Sequence, residues 1–181
     1  MSSRLPAKTE YVKLSIRAAA STDLPALLAL QKHAVTAVHW SLEQYEALFR
    51  ASSPARIALV VQEENQEEET QAEKNQEEEN QQCETGVQGF VIARAVGVEW
   101  EIENIAIAGP VRRHGVGTRL LGEFLDLAKA QGGEAVFLEV RESNRAARSL
   151  YEKWAFTESG RRKKYYKDPQ EDAILYRLDL H

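Results

Sequence analysis

Arg112-Arg113-His114-Gly115-Val116-Gly117-Thr118 is followed by an apolar-periodic segment and then by Leu138-Glu139-Val140-Arg141-Glu142-Ser143-Asn144. Two close glycines and three basic side chains at the start of a helix form a site for a pyrophosphate. Bare N–H groups in the first turn point at a ligand, the helix dipole favours negative charge, and glycines let the main chain approach phosphate oxygens with no Cβ in the way. A Gly-x-Gly pair opening a helix also serves as a plain tight turn, so the neighbouring elements decide.

Downstream, Leu120, Leu121, Phe124, Leu125 and Ala128 make the apolar stripe of a helix from about Val116 to Gln131, ended by Gly132-Gly133. Ala135 to Val140 reads as a mostly buried strand, and Ala146 to Trp154 as a helix with Asn144 near its cap. Upstream, Trp100 to Ile107 reads as a strand, so the unit is strand, phosphate turn, helix, parallel strand. Val12 to Arg17 alternates as a half-buried strand, and Ser21-Thr22-Asp23 offers caps for a helix carrying Leu24, Leu27, Leu28, Leu30 and Ala34. Ser41 and Gln44 have capping-box spacing for a helix running toward Phe49. Ile57–Val61 and Gly89–Ala93 are apolar runs that should pair as a hairpin, and Phe156–Tyr166 and Ala173–Leu178 supply closing strands. The fold class is α/β (α+β): helices on both faces of a mixed, mostly antiparallel central sheet of about seven strands.

The 181 residues suit a single domain. No apolar run of membrane-spanning length and no signal-peptide core is present, so the chain reads as soluble and cytoplasmic. The net charge of -5 conceals an uneven distribution. Ten of the 28 acidic residues lie between Gln62 and Thr85, and with these and Lys74 set aside 22 basic and 18 acidic residues remain. In that segment Asn65-Gln66-Glu67-Glu68-Glu69 recurs as Asn75-Gln76-Glu77-Glu78-Glu79, and nothing aliphatic larger than alanine occurs, so residues 62–85 are expected to form a disordered acidic insertion in a hairpin. It is either a tolerated solvated loop or an acidic docking arm. The single cysteine, Cys83, rules out an intrachain disulfide and a multi-cysteine metal site. His33, His39, His114 and His181 lack ligand spacing, so no metal is expected. Arg161 to Lys164 with Tyr165-Tyr166 is the only stretch with nucleic-acid-binding character, and direct nucleic-acid binding is not the favoured reading.

The order of the pieces, with Asn104-Ile105-Ala106-Ile107, Arg112-x-x-Gly115-x-Gly117, Leu138-Glu139-Val140-Arg141, Asn144 and Leu150-Tyr151-Glu152-Lys153, resembles the GNAT superfamily of acyl-CoA-dependent N-acetyltransferases. Within it, Leu-Glu-Val-Arg-x-x-Asn, the tail Arg162-x-x-Tyr165-Tyr166 with Glu171-Asp172-Ala173, and His39-Trp40-Ser41 are similar to the RimI group, the ribosomal-protein-alanine N-acetyltransferases. The resemblance implies that the main chain of Ile105, Ala106 and Ile107 pairs with the pantetheine arm of acetyl-CoA. It implies that Arg112, Arg113, His114, Gly115, Val116, Gly117 and Thr118 wrap the pyrophosphate, that Asn144 hydrogen-bonds the cofactor near its thioester, and that Glu139 is the general base and Tyr151 the general acid. The implied reaction is direct attack of an amine on acetyl-CoA in a ternary complex, with the N-terminal alanine of a small-subunit ribosomal protein as acceptor. Lysine side chains or small amines as acceptors, and a non-catalytic CoA-binding or ribosome-assembly module, are the alternatives.

Independently of the resemblance, a carboxylate amid Val136, Phe137, Leu138 and Val140 is costly unless it is paired or neutral. An ion pair of Glu139 with Arg141 or Arg145 accounts for it structurally, as ring packing does for Tyr151. An α-amine, with pKa about 7.7 to 8.0, needs less help from a base than lysine at about 10.4, which favours N-terminal acceptors. Two departures from the family's pattern stand out: Ala155 where glycine usually precedes the phenylalanine, and Ala108-Gly109-Pro110 in place of Asp-Pro. If the turn at Ala155 requires positive φ, alanine costs roughly 1 kcal/mol there.

Overall fold

The structure, a computed structural model, describes residues 13–34, 39–50, 54–63 and 86–181. Its strands are β1 (Leu14–Ala18), β2 (Arg56–Glu63), β3 (Val87–Val96), β4 (Glu99–Ile107), β5 (Ala135–Arg141), β6 (Thr157–Lys167) and β7 (Gln170–Asp179). They form one sheet in the order β1-β2-β3-β4-β5-β7-β6, parallel only between β4 and β5. Helices α1 (Leu24–His33) and α2 (Leu42–Glu46) cover one face, and α3 (Val116–Ala130) and α4 (Arg145–Lys153) the other.

Periodicity builds both layers. The expected hairpin pairs in the register Ile57↔Ala93 to Val61↔Gly89. Val61, Leu59 and Val91 turn toward α3, while Val60, Phe90 and Ile92 turn toward α1. The stripe Leu120, Leu121, Phe124, Leu125 and Ala128 is buried against Trp100, Ile102, Val136 and Leu138. At the end of α3, Gly132 takes φ 79°, and the bonds Gly132 N–H to Lys129 O and Gly133 N–H to Ala128 O form a Schellman motif. A Cβ on Gly133 would stand 2.7 Å from Trp100 Cδ1, so glycine is required there by packing. Helix α2 carries the expected capping box: Gln44 N–H donates to Ser41 Oγ, and Ser41 N–H to Gln44 Oε1.

Two boundaries differ from expectation, and a third is untested. Ser21–Asp23 forms a 3-10 turn, and Asp23 serves Arg17 (2.7 Å) and the Ala20 N–H (2.8 Å) instead of capping α1 by its side chain. Strand β2 continues through Gln62 and Glu63, pairing them with Ser15 and Leu14, because the ladder extends two residues into the polar sequence. Strand β1 is described from Leu14, and Val12 and the acidic residues 64–85 lie outside the described residues.

The departure at Ala155 has a structural consequence. Helix α4 ends in a second Schellman motif, with Ala155 N–H bonded to Glu152 O, Phe156 N–H to Tyr151 O, and the Tyr151 and Phe156 rings 5.7 Å apart. Ala155 sits at φ 61°, in the left-handed region that favours glycine. Ala155→Gly should therefore raise unfolding free energy by about 1 kcal/mol, read as a higher urea midpoint with unchanged m-value. No gain would show that the turn carries no strain.

The buried Asp23 carboxyl is held below the usual carboxylate range by its hydrogen bonds with the Arg17 guanidinium. Its folded pKa is below its unfolded value, so the stability it adds is complete above about pH 4 and is lost as pH falls through the folded value. Asp23→Asn should cost about 1–3 kcal/mol at pH 7, with the gap to the wild type closing in strong acid, as measured by urea titrations across pH.

Candidate active site

The parallel ladder between β4 and β5 runs from Glu99↔Ala135 to Ile102↔Leu138 and stops. Beyond it the two strands part, leaving Glu103–Ile107 with β3 as their strand partner on one side only. A bulge in β4 coincides with the parting: Ala93 pairs with Ile102 and Ile92 with Asn104, so Glu103 is an extra residue. The bulge reverses the facing of the strand. Trp100, Ile102, Ile105 and Ile107 lie against the α3 layer, whereas Asn104 and Ala106 join Glu101 and Glu103 on the α1–α2 side.

At the far end of β4 stands the glycine loop. Arg113 has φ 69° and Gly115, which precedes α3, has φ 79° with nothing within 4 Å of a Cβ placed on it. No side chain caps α3, and among the described residues no hydrogen bond occupies the N–H groups of Arg113, His114, Gly115, Val116, Gly117 or Thr118. Arg113, His114 and Thr118 are exposed, while the Val116 side chain is buried and anchors the turn in the core. Gly117 packs where a Cβ would meet Leu150 at 3.4 Å and Ile107 at 3.7 Å. Arg112 donates from Nε to the Ile107 carbonyl at 2.8 Å, tying the loop to the strand end. Of the three main-chain residues expected to face a ligand, Ile107 thus already has its carbonyl engaged. A run of unpaired donors beside basic side chains fits a diphosphate.

On the α2 side a cleft of about 280 Å³ opens between β4, β5 and the β6–β7 hairpin, lined among others by Trp40, Glu101, Glu103, Glu139, Tyr165 and Tyr166. Glu139 projects into it from β5, opposite in sense to Val136, Leu138 and Val140, which enter the core. Its partner is neither Arg141 nor Arg145. Arg162 Nη1 lies 3.0 Å from Glu139 Oε1, and the Tyr165 hydroxyl also donates to this carboxylate. Arg141 is occupied elsewhere, by Glu171 at 3.4 Å, the Asp168 carbonyl at 3.0 Å and the face of the Tyr166 ring at 4.1 Å. A second irregularity, between Arg162 and Tyr166 with Lys164 at φ 54°, carries Tyr165 over the cleft, where its bond to Glu139 raises its phenol pKa. Burial, reinforced by Glu139, pushes the neighbouring Tyr166 up to about 12. Glu103 pairs with Arg56 at 3.1 Å, and Arg94 reaches both Glu101 and Glu103.

Tyr151 comes from α4 on the opposite face. It is 3% exposed and packs on Phe156 and Tyr176, and burial raises its phenol above the ordinary value, with Tyr166 contributing through space. Asn144 caps α4, its side chain accepting from Ala147 N–H at 3.2 Å. The cleft's roof is set by Gln31, which accepts from Trp40 N–H and the Tyr45 hydroxyl and donates to Trp40 O.

The structure places Glu139 beside Glu103 in the cleft on the α2 side and the glycine loop at the far end of β4 against Ile107, while Tyr151 lies in the core on the opposite face of the sheet. Sequence reading missed Glu101, Glu103, Arg56 and the placement of Tyr165 and Tyr166 in the cleft. One signal was available: carboxylates at alternate positions of a strand central enough to be covered on both faces demand partners.

The sequence pattern described as the acetyltransferase (GNAT) family matches residues 36–156. The chain is 39% identical over 93 residues to the [ribosomal protein bS18]-alanine N-acetyltransferase of Escherichia coli K12, covering 50% of this chain and 63% of that protein. It is 38% identical over 88 residues to N-alpha-acetyltransferase RimI of Mycobacterium tuberculosis, covering 49% of this chain and 54% of that protein. These matched segments span less than two thirds of the relatives' own lengths. The crystal structure of the ribosomal-protein-S18-alanine N-acetyltransferase from Escherichia coli superposes with TM-score 0.70 at 27% identity, over 93% of this chain and 94% of that one. The family match spans more than half of the chain, and together with the parted β4–β5 pair and the glycine loop it makes this protein a member of the GNAT acetyltransferase family.

Proposed function

We propose that this chain is an acetyl-CoA-dependent N-α-acetyltransferase that acylates the N-terminal alanine, or a similarly small first residue, of a protein, with a small-subunit ribosomal protein in the cytoplasm as the expected acceptor. The observation that carries the reading is the opening between β4 and β5, with Glu139 on one face, Tyr151 on the other and unpaired N–H groups at its end. The acceptor follows from the similarity to the bS18-alanine and RimI enzymes. The residues work as one domain, with the acidic segment between β2 and β3 as an insertion.

In this reading the N–H groups of Arg113 to Thr118 hold the diphosphate, the edge of Ile105, Ala106 and Ile107 aligns the pantetheine arm, and Asn144 orients the thioester end. Glu139 takes a proton from the acceptor ammonium, and the freed amine forms the C–N bond as the C–S bond breaks; Tyr151 gives its proton to the departing sulfur and is reprotonated by the second proton that the new amide nitrogen sheds, while Glu139 returns its proton to solvent. Burial keeps Tyr151 protonated throughout the working pH range, as a proton donor must be. A thiolate of pKa about 8.5 needs a positioned donor more than a strong acid.

The test is incubation with acetyl-CoA and peptides beginning Ala, Ser, Met or acetyl-Ala with an internal lysine, mapping the acetyl group by mass spectrometry. Label on the α-amine of the Ala and Ser peptides is expected, and label only on the internal lysine overturns the acceptor assignment. Glu139→Gln and Tyr151→Phe should each lower kcat by about 100-fold or more while acetyl-CoA affinity stays within about twofold by calorimetry. Unchanged turnover would remove those roles. Gly115→Val, forced into a left-handed conformation, should weaken acetyl-CoA binding by about tenfold or more; equal affinity would place the diphosphate elsewhere.

A further inference from the structure

Four arginines reach carboxylates in or beside the cleft, and one is held differently from the rest. Arg94 and Arg141 each make several contacts to a neighbouring strand, Arg141 with its side chain only 13% exposed, and Arg56 reaches across β3 to Glu103 through one contact at 3.1 Å with its side chain 26% exposed. Arg162 rests on Glu139 through Nη1 alone at 3.0 Å, with 55% of its side chain in solvent, while Glu139 is 18% exposed. Its guanidinium carbon is 5.5 Å from the centre of the Tyr165 ring, and Arg162 is the last residue paired with β7 before the hairpin irregularity. The other groups that line the cleft around Glu139 are Tyr165 and Tyr166 from β6, Glu101 and Glu103 from β4 and Arg56 from β2, and α2 contributes the uncharged Gln44. Arg162 is therefore a cation seated on the carboxylate that an acceptor ammonium must reach.

We propose that Arg162 is a displaceable stand-in for the acceptor's ammonium, a specificity-determining residue that cedes its place on Glu139 to the incoming cation. The inference rests on Glu139 being the group that receives the amine. Exchange of one cation for another leaves the charge of the cleft unchanged, so the desolvation of Glu139 is compensated before and after binding. A half-exposed, singly bonded pair is weak, so displacement is cheap for a cation. A neutral group cannot make the exchange without leaving the Glu139 charge with no cation beside it, held by the Tyr165 hydroxyl alone. The acceptor class this selects is the protonated amine, and an uncharged acceptor such as an N-acylated peptide is discriminated against.

The test is steady-state kinetics at saturating acetyl-CoA with an Ala-initiated peptide, comparing wild type, Arg162→Ala, Arg162→Lys and Arg161→Ala, with the N-acetylated form of the peptide as inhibitor. Arg162→Ala should lower the peptide KM about three- to fivefold, with the gain in KM rather than kcat, because the resident competitor is gone. Arg162→Lys should restore the wild-type KM. Arg161 pairs with Glu142 and Asp172, so Arg161→Ala removes a nearby charge without vacating Glu139 and should hold KM within about 1.5-fold. The inhibition constant of the acetylated peptide should be the same in all four proteins. An unchanged or raised KM in Arg162→Ala overturns the proposal. So does an equal drop in Arg161→Ala, which would mean a general field effect, or an equal drop for the acetylated peptide, which would mean a change of cleft shape. Glu139→Gln separates the two levels: full activity in that variant sinks the assignment of the base, whereas an inactive Glu139→Gln with an unresponsive Arg162→Ala sinks this inference alone.

Discussion

The constraint on which the site depends is that β4 and β5, the one parallel pair in the sheet, stay together for four residues and then separate. A strand in the middle of a sheet ordinarily spends its N–H and C=O groups on both neighbours. Here Glu103–Ile107 lack β5, and the helix that follows β4 begins with uncapped N–H groups. Unmet main-chain polarity at the centre of a domain calls for a ligand that is itself extended, hydrogen-bonding and, at one end, anionic. The rest of the architecture holds this opening in place: the bulge at Glu103 turns carboxylates toward one face, Arg112 fixes the loop to Ile107, and the two glycines ending α3 let Trp100 close the opposite end of the strands.

The two faces of the opening differ in polarity. Below, Tyr151 is enclosed by Phe156 and Tyr176, and the left-handed Ala155 sets the turn that brings Phe156 against it. Above, Glu101, Glu103 and Glu139 stand under Tyr165, Tyr166 and Trp40, each carboxylate matched by an arginine. The lower side is apolar and the upper side ionic.

Much of the layout was legible in the sequence because it rests on local signals. Apolar periodicity marked α3 and its stripe, the Ile57–Val61 and Gly89–Ala93 runs marked the two strands of a hairpin, and Ser41 with Gln44 marked the start of α2. Positive φ at Ala155 was anticipated from a single substitution in a turn. What escaped was the irregular backbone. A bulge carries no pattern of its own: Trp100 to Ile107 reads simply as a strand, and the structure puts Glu103 in the cleft and Ile105 in the α3 layer. The partner of Glu139 was sought among near neighbours in sequence, Arg141 and Arg145. It is Arg162, brought in by the β5–β7–β6 order, a long-range pairing that no spacing reveals.

The central claim is that the parted strands and the uncapped helix together receive acetyl-CoA, and hydrogen–deuterium exchange resolved to single amides addresses it directly. In the free protein the amides of Gly115, Val116, Gly117 and Thr118 should exchange rapidly. Saturating acetyl-CoA should slow them together with those of Ile105 and Ala106, while the amides of β2 stay as they were. Slowing confined to the Trp40–α2 side, or no slowing at the glycine loop, would contradict the account.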